Sequence, residues 1–138
     1  MEGVNFRSFT TGDYEEVCSW WEWWWKGEKG IEREILPSDK NCLILEYEGR
    51  PIYAGFLFMG LDAPMGYLTW IVSNPDYKVK NRKELLKIFI KESEEKAREQ
   101  GACFMFTVCS NSTLKKAHEE LGWWLDDKWP SYEGFKYV

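Results

Sequence analysis

The sequence has one histidine, His118, and its four cysteines (Cys18, Cys42, Cys103 and Cys109) include no CxxC pair. A Cys/His metal site is therefore not expected, because such sites need several ligands at close spacing. Cys18, Cys103 and Cys109 lie in apolar or helical patterns, where a free thiol behaves as a small hydrophobe. No apolar run is long enough to span a bilayer, which takes about 18 residues. The opening residues MEGVNFRSFT lack a basic start and an apolar run, so no export signal is expected. There is also no basic excess. Lys and Arg total 18 against 23 Asp and Glu, for a formal net charge of −5, so no general nucleic-acid binder is indicated. These absences fit a reduced, cytoplasmic protein that does not enter a membrane.

What is present is a core. Hydrophobic residues make up 44% of 138 positions and aromatics 17%, enough for one packed domain, 1–138, and too much for disorder. VNFRSFT reads as a strand. A helix follows, with Thr11 or Asp13 as its cap, Glu15 and Glu16 in its first turn, and an end near Lys26 where Gly27 and Gly30 stop it. LPSDKN reads as loop, CLILEYEGRPIYAGFLFMG as a hairpin around EGRP, and YLTWIV as a buried strand. From about Asn81 to Gln100, Leu85, Leu86, Phe89, Ile90 and Ala97 recur at helical spacing, and Gly101 closes that helix. ACFMFTVCS is a strand, NSTLKKAHEELG a helix capped by Asn111 or Ser112, and EGFKYV a last short strand. The order β-α-β-β-β-α-β-α-β predicts an α/β fold with a mixed sheet.

Five of the nine tryptophans fall within SWWEWWWKG. At about 100° per residue, Tyr14, Cys18, Trp21 and Trp25 form one stripe, with Val17 and Trp24 beside it. This spacing assigns Trp21, Trp24 and Trp25 to the core. Trp20 falls at the edge of the stripe, and Trp23 points away from it. Trp20 and Trp23 are therefore candidates for an acceptor-binding surface or a homodimer contact, since aromatic anchors offer large rigid area.

The element order and two local patterns resemble the GNAT acyltransferase superfamily, more narrowly small GNAT-like proteins often encoded by bacteriophages. NSTLKKAHEELGWW follows the late-helix pattern N-x-x-A-x-x-x-Y-E-x-x-G-F, with Asn111, Glu119, Leu121, Gly122 and Trp123 in register. His118 stands where many members carry the Tyr that protonates the thiolate of coenzyme A, and imidazole can serve as that acid. NPDYKVKNRKELL resembles the loop after the fourth strand that cradles a pyrophosphate at a helix start. Asp76, Tyr77 and Lys78 match its lead, but Asn81 and Lys83, or Lys80 and Arg82 one register away, replace its glycines. A Cβ there obstructs close approach of backbone to phosphate. Asn81 tolerates a left-handed backbone better than most residues, and Lys78, Lys80, Arg82 and Lys83 gather positive charge.

The resemblance implies a GNAT-like central sheet flanked by helices. It also implies acetyl-CoA or another acyl-CoA bound by Val72, Ser73, Asn74, Lys78, Lys80, Asn81, Arg82, Lys83 and Asn111. Its activity would be acyl transfer to a small-molecule or macromolecular amine, with His118 as the catalytic acid. No general base stands out: YLTWIV has no acid, and Glu46 and Glu48 flank a turn. Cys109, before the Asn111 cap, is a weaker nucleophile candidate. Two alternatives stay open: a GNAT-shaped binding protein without catalysis, and a transferase acting on modified DNA or a host protein.

Overall fold

A computed structural model of the chain describes residues 1–78, 80–128 and 132–138. They fall into two compact units, Met1–Val108 and Cys109–Val138. The first is built on strands β1 (Val4–Ser8), β2 (Cys42–Tyr47), β3 (Arg50–Met59), β4 (Met65–Ser73) and β5 (Phe104–Thr107). The strands lie side by side in chain order, antiparallel except for the parallel pair β4–β5. Helix α1 (Asp13–Trp24) follows β1, and α2 (Arg82–Glu99) is the crossover that the parallel pair requires. Two short 3₁₀ turns, Arg33–Ile35 and Asp39–Asn41, lie before β2. The second unit holds α3 (Ser112–Glu120).

The mixed α/β sheet is the architecture expected. Its tail differs. Residues 132–138 form no strand, and Tyr132 and Phe135 are almost fully exposed. A strand needs a ladder of backbone partners, and an apolar alternation interrupted by Gly134 does not supply one.

Side-chain alternation along β3 assigns the two helices to opposite faces. Gly55 backs onto Phe89 of α2, and Tyr53 also meets that ring. Ala54 and Phe56 belong to the cluster that packs with Val17, Trp20 and Trp21 of α1. A Cβ on Gly55 would stand 2.8 Å from Phe89 ring atoms, so glycine here sets how closely α2 approaches the sheet. The β2–β3 turn is tight: Tyr47 pairs with Arg50, and Glu48 and Gly49 both have positive φ, 52° and 80°. That is the primed turn geometry whose twist matches two antiparallel strands.

The start of α1 uses neither expected cap. Gly12 takes the N-cap position with φ 94° and no side chain to offer. Asp13 reaches back instead, accepting the Thr10 N–H at 2.6 Å and the Arg7 guanidinium at 2.7 and 3.1 Å. Arg7 also pairs with Glu46 on β2 at 3.1 Å. Burial pushes the Asp13 carboxyl up, but the hydrogen bonds from Arg7 and Thr10 outweigh it and hold the group below the ordinary carboxylate value. A carboxyl depressed in the folded state contributes stability above its unfolded pKa of about 3.9, and loses it as pH falls through the folded value. Asp13→Asn is therefore expected to cost about 1–3 kcal/mol at neutral pH. Melting curves should also show a shallower acid-side decline for the variant; parallel declines would show that the Asp13 charge does not matter.

The end of α1 also departs from expectation. The helix stops at Trp24, and Lys26 takes a left-handed backbone with φ 54°. Gly27 N–H then reaches back to the Glu22 carbonyl at 2.8 Å, a Schellman closure with lysine where glycine is commoner. The buried residues of the helix are Asp13, Val17, Trp20 and Trp21. Trp20, assigned to the stripe's edge, is core at 2% exposure, while Trp24 and Trp25, assigned to the core, are 44% and 38% exposed. Angle predicts which face of a helix is apolar, but not how far along the helix the sheet covers it.

Candidate active site

The β4–β5 ladder starts at Met65–Phe104 and ends at Leu68–Thr107, while β4 continues to Ser73. Thr107 closes the ladder by donating its hydroxyl to the Leu68 carbonyl at 2.7 Å. Residues 69–73 then present their β5-side edge with no ladder partner among the described residues. A bulge sits at the same point. Ala54 pairs with Val72 and Phe56 with Thr69, so Gly55 faces two residues, Trp70 and Ile71. Trp70 has φ 52°, a left-handed conformation that is costly for an aromatic residue and held by its surroundings. Its half-buried ring packs edge-on against Phe58 at 5.9 Å. A bulge re-aims the backbone N–H and C=O groups of a strand, here on the open stretch of β4. Nothing in LTWI signals it, because the bulge follows from how β3 and β4 pair.

The far end of β4 is tied to α1 and to the next loop. Trp24 donates its indole N–H to the Ser73 carbonyl at 2.8 Å. Asn74 is buried and already engaged: its amide donates to Pro51 O at 3.0 Å and its carbonyl accepts the Asp76 N–H at 3.0 Å. Val72 is core. Of the three strand-end residues named from sequence, Ser73 offers its surface, whereas the side chains of Val72 and Asn74 are structural.

The basic loop leads into α2. Tyr77 is buried under the Arg50 guanidinium, which lies 4.4 Å above its ring. Lys78, Lys80 and Lys83 are exposed and Arg82 is partly buried; Val79 lies outside the described residues. Asn81 sits at the N-cap of α2 but makes no side-chain cap, and its amide points at the Met1 sulfur, 3.4 Å away. Its φ of −97° is not left-handed, so the tolerance that the sequence offered there is not used. The first turn of α2 thus has amides without a side-chain cap beside four basic residues, a setting that suits an anion. No glycine opens the loop to bring backbone against it. Arg50 is absent from the sequence-derived set, since only the fold brings β3 to this loop.

In the second unit, Asn111 caps α3 as expected, its side chain accepting the Leu114 N–H at 2.9 Å. His118 is fully buried, with 0% exposure. Its Nδ1 donates to the Leu114 carbonyl at 2.8 Å, and its ring meets Trp123 edge-on at 4.8 Å. These contacts fix the ring's orientation through Nδ1 and its edge. Cys109 Sγ lies 3.6 Å from the same nitrogen, yet burial pushes its thiol up to about 11, with Lys115 lowering it only in part. The thiol therefore stays protonated at neutral pH and is no activated nucleophile. Alkylation of native protein at pH 7.5 is expected to reach exposed Cys103 well before Cys109; the reverse order would refute that environment.

No protein-family model matches the chain, and no curated protein matches it by sequence. Among solved structures it resembles an N-acetylglutamate synthase from Neisseria gonorrhoeae, complexed with coenzyme A and N-acetyl-glutamate. That match has TM-score 0.64 and 21% identity, over 84% of this chain and 27% of the synthase. The chain therefore spans about a quarter of that protein's length. An aminoglycoside acetyltransferase from an uncultured soil metagenomic sample, in complex with sisomicin, is similar over nearly its full length. It has TM-score 0.67 and 10% identity, covering 99% of this chain and 96% of that one. An acetyltransferase of Trypanosoma brucei matches with TM-score 0.64 and 14% identity, over 94% and 99% of the two chains. At such identities the likeness is one of fold, and the chain has the fold of the GNAT acetyltransferases.

Proposed function

We propose that this chain is an acyl-CoA-dependent N-acyltransferase acting on an amine. The observation that carries the reading is the open edge of β4 beyond Leu68, with the Trp70 bulge beside it. Backbone groups on the β5 side of residues 69–72, which have no ladder partner among the described residues, suit an extended, amide-bearing donor laid along the strand. A re-aimed backbone N–H suits the thioester carbonyl, where charge develops during attack. Lys78, Lys80, Arg82 and Lys83 would hold phosphates at the start of α2. An acyl thioester supplies the activated carbonyl: the amine nitrogen bonds to its carbon, the C–S bond breaks, and the proton lost by the amine ends on sulfur. Coenzyme A in the N-acetylglutamate synthase structure supports this donor class.

The loop favours a second reading. Every position from 78 to 83 carries a side chain, as a GNAT-shaped binding protein without catalysis would tolerate. Calorimetric titration of the whole chain with acetyl-CoA separates the two. Binding is expected with a dissociation constant between about 1 µM and 1 mM, the usual range for enzyme substrates. Replacing Lys78, Lys80 and Lys83 together by Ala is expected to weaken coenzyme A at least about tenfold through lost phosphate contacts, while leaving S-acetylpantetheine unchanged. No heat at millimolar acetyl-CoA would overturn the acyltransferase reading.

A further inference from the structure

Two side-chain donors close the open edge of β4, one at each end. At the near end Thr107 donates its hydroxyl to the Leu68 carbonyl at 2.7 Å. At the far end the indole N–H of Trp24 donates to the Ser73 carbonyl at 2.8 Å. Strand pairing shows why that carbonyl is within reach. Asn74 N–H donates to Ile52 O at 2.8 Å, continuing the register in which Ser73 faces Tyr53. Antiparallel pairs alternate between hydrogen-bonded and non-hydrogen-bonded, so the backbone groups of Ser73 point away from β3. They point to the side that β5 has left. Between the two closed carbonyls lie residues 69–72, with the bulge at Trp70.

Burial does not account for Trp24. It is 44% exposed, and its ring meets that of Trp23, itself 59% exposed, edge-on at 4.7 Å. An indole has a single donor and no acceptor, and here that donor goes to the last carbonyl of the open stretch.

We infer that Trp24 is a positioning residue that fixes the register of the acyl donor on β4. The term donor rests on the acyltransferase reading; the closing of Ser73 does not. A donor running from the basic loop at 78–83 to the Trp70 bulge meets the indole at Ser73. It therefore joins the strand edge only beyond that point, at residues 69–72. With the Ser73 carbonyl free, an amide N–H of the donor would bond there instead. The donor would then settle one two-residue repeat, about 7 Å, nearer the loop. Lysine ammonium groups on flexible stems would follow it without resisting. Its thioester would fall short of the bulge, and a far smaller misplacement is enough to slow a reaction.

Acetyl-CoA labelled with ¹³C at the thioester carbonyl tests this on the whole chain without an acceptor. Calorimetry gives the affinity, and the carbon resonance reports hydrogen bonding to the carbonyl oxygen. In wild type the bound resonance is expected downfield of the free ligand, as a carbonyl polarised by a backbone N–H requires. Trp24→Phe keeps a ring against Trp23 and loses the donor. It should bind acetyl-CoA within about tenfold of wild type, since one hydrogen bond replaces another. Its carbonyl resonance should nevertheless return towards the free position. Trp24→His places Nε2 on its five-membered ring where the indole nitrogen stands, and should restore the downfield shift at about pH 8, where imidazole is neutral. A tryptophan that only stabilises the fold would lower the melting temperature of both variants and leave the bound resonance as in wild type. That result overturns the inference, as does a His variant that behaves like the Phe variant, or bound wild type with no downfield shift. If acetyl-CoA does not bind wild type, the acyltransferase reading falls and the register role with it. If it binds and Trp24→Phe leaves the resonance in place, the register role alone falls.

Discussion

Trp21→Ala is expected to destabilise the protein by about 3–5 kcal/mol, the cost of truncating a large buried aromatic without refilling its space. Trp21 is 1% exposed, packs against Phe56 with ring centroids 5.5 Å apart, and carries the stacked Trp25 on its other side. Gly30 lies so close that a Cβ there would stand 2.5 Å from the ring. Gly30→Ala should therefore also destabilise, by about 1–3 kcal/mol, because a buried indole has little room to move. Trp23→Ala, by contrast, should shift stability by less than about 0.5 kcal/mol, as expected for an exposed side chain. Denaturant unfolding of the three variants tests the ranking. A Trp23→Ala variant as unstable as Trp21→Ala would mean that Trp23 is covered in solution, contrary to its exposure in the fold.

His118→Ala is expected to cost about 2–4 kcal/mol. It opens a cavity at a fully buried position, removes the edge contact with Trp123, and leaves the Leu114 carbonyl without that donor. His118→Gln, which keeps an N–H donor, should recover part of this loss. If acyl transfer is measured on folded protein, His118→Gln should keep the shape of the pH–rate profile. Loss of one limb of that profile, with melting temperature preserved, would restore His118 as the catalytic acid.

Much of the fold was legible because it follows from period and punctuation. The α2 face of Leu85, Leu86, Phe89, Ile90 and Ala97 is buried as its spacing predicts. The Glu48–Gly49 turn and the Asn111 cap are local chemistry, read correctly within a few residues. The α1 cap was less legible. Asp13 serves the start of the helix by reaching back to Thr10 and to Arg7 at the end of β1, a pairing set by how the chain turns from β1 into α1 rather than by a capping pattern.

The candidate site was less legible still. Sequence pointed to the loop at 78–83 and to the end of the fourth strand, and both lie where the open edge of β4 ends. It did not point to Trp70, whose left-handed backbone arises from a one-residue mismatch between β3 and β4. Nor did it point to Arg50, brought over Tyr77 by strand pairing. His118 stood in a catalytic register by resemblance, but whether such a ring faces solvent or core depends on what packs around it.

Residue pattern thus settled which segments become helix and strand, the tail EGFKYV excepted, which helix faces are apolar, and that the sheet is mixed. These depend on interactions a few residues apart, repeated along the chain. Tertiary packing settled which of the five clustered tryptophans are buried. The angle of α1 would have buried Trp24 and Trp25, but the helix ends at Trp24 and the core closes over Trp20 and Trp21 instead. It also settled where β4 parts from β5, since strand register is a property of neighbouring strands and of no single segment.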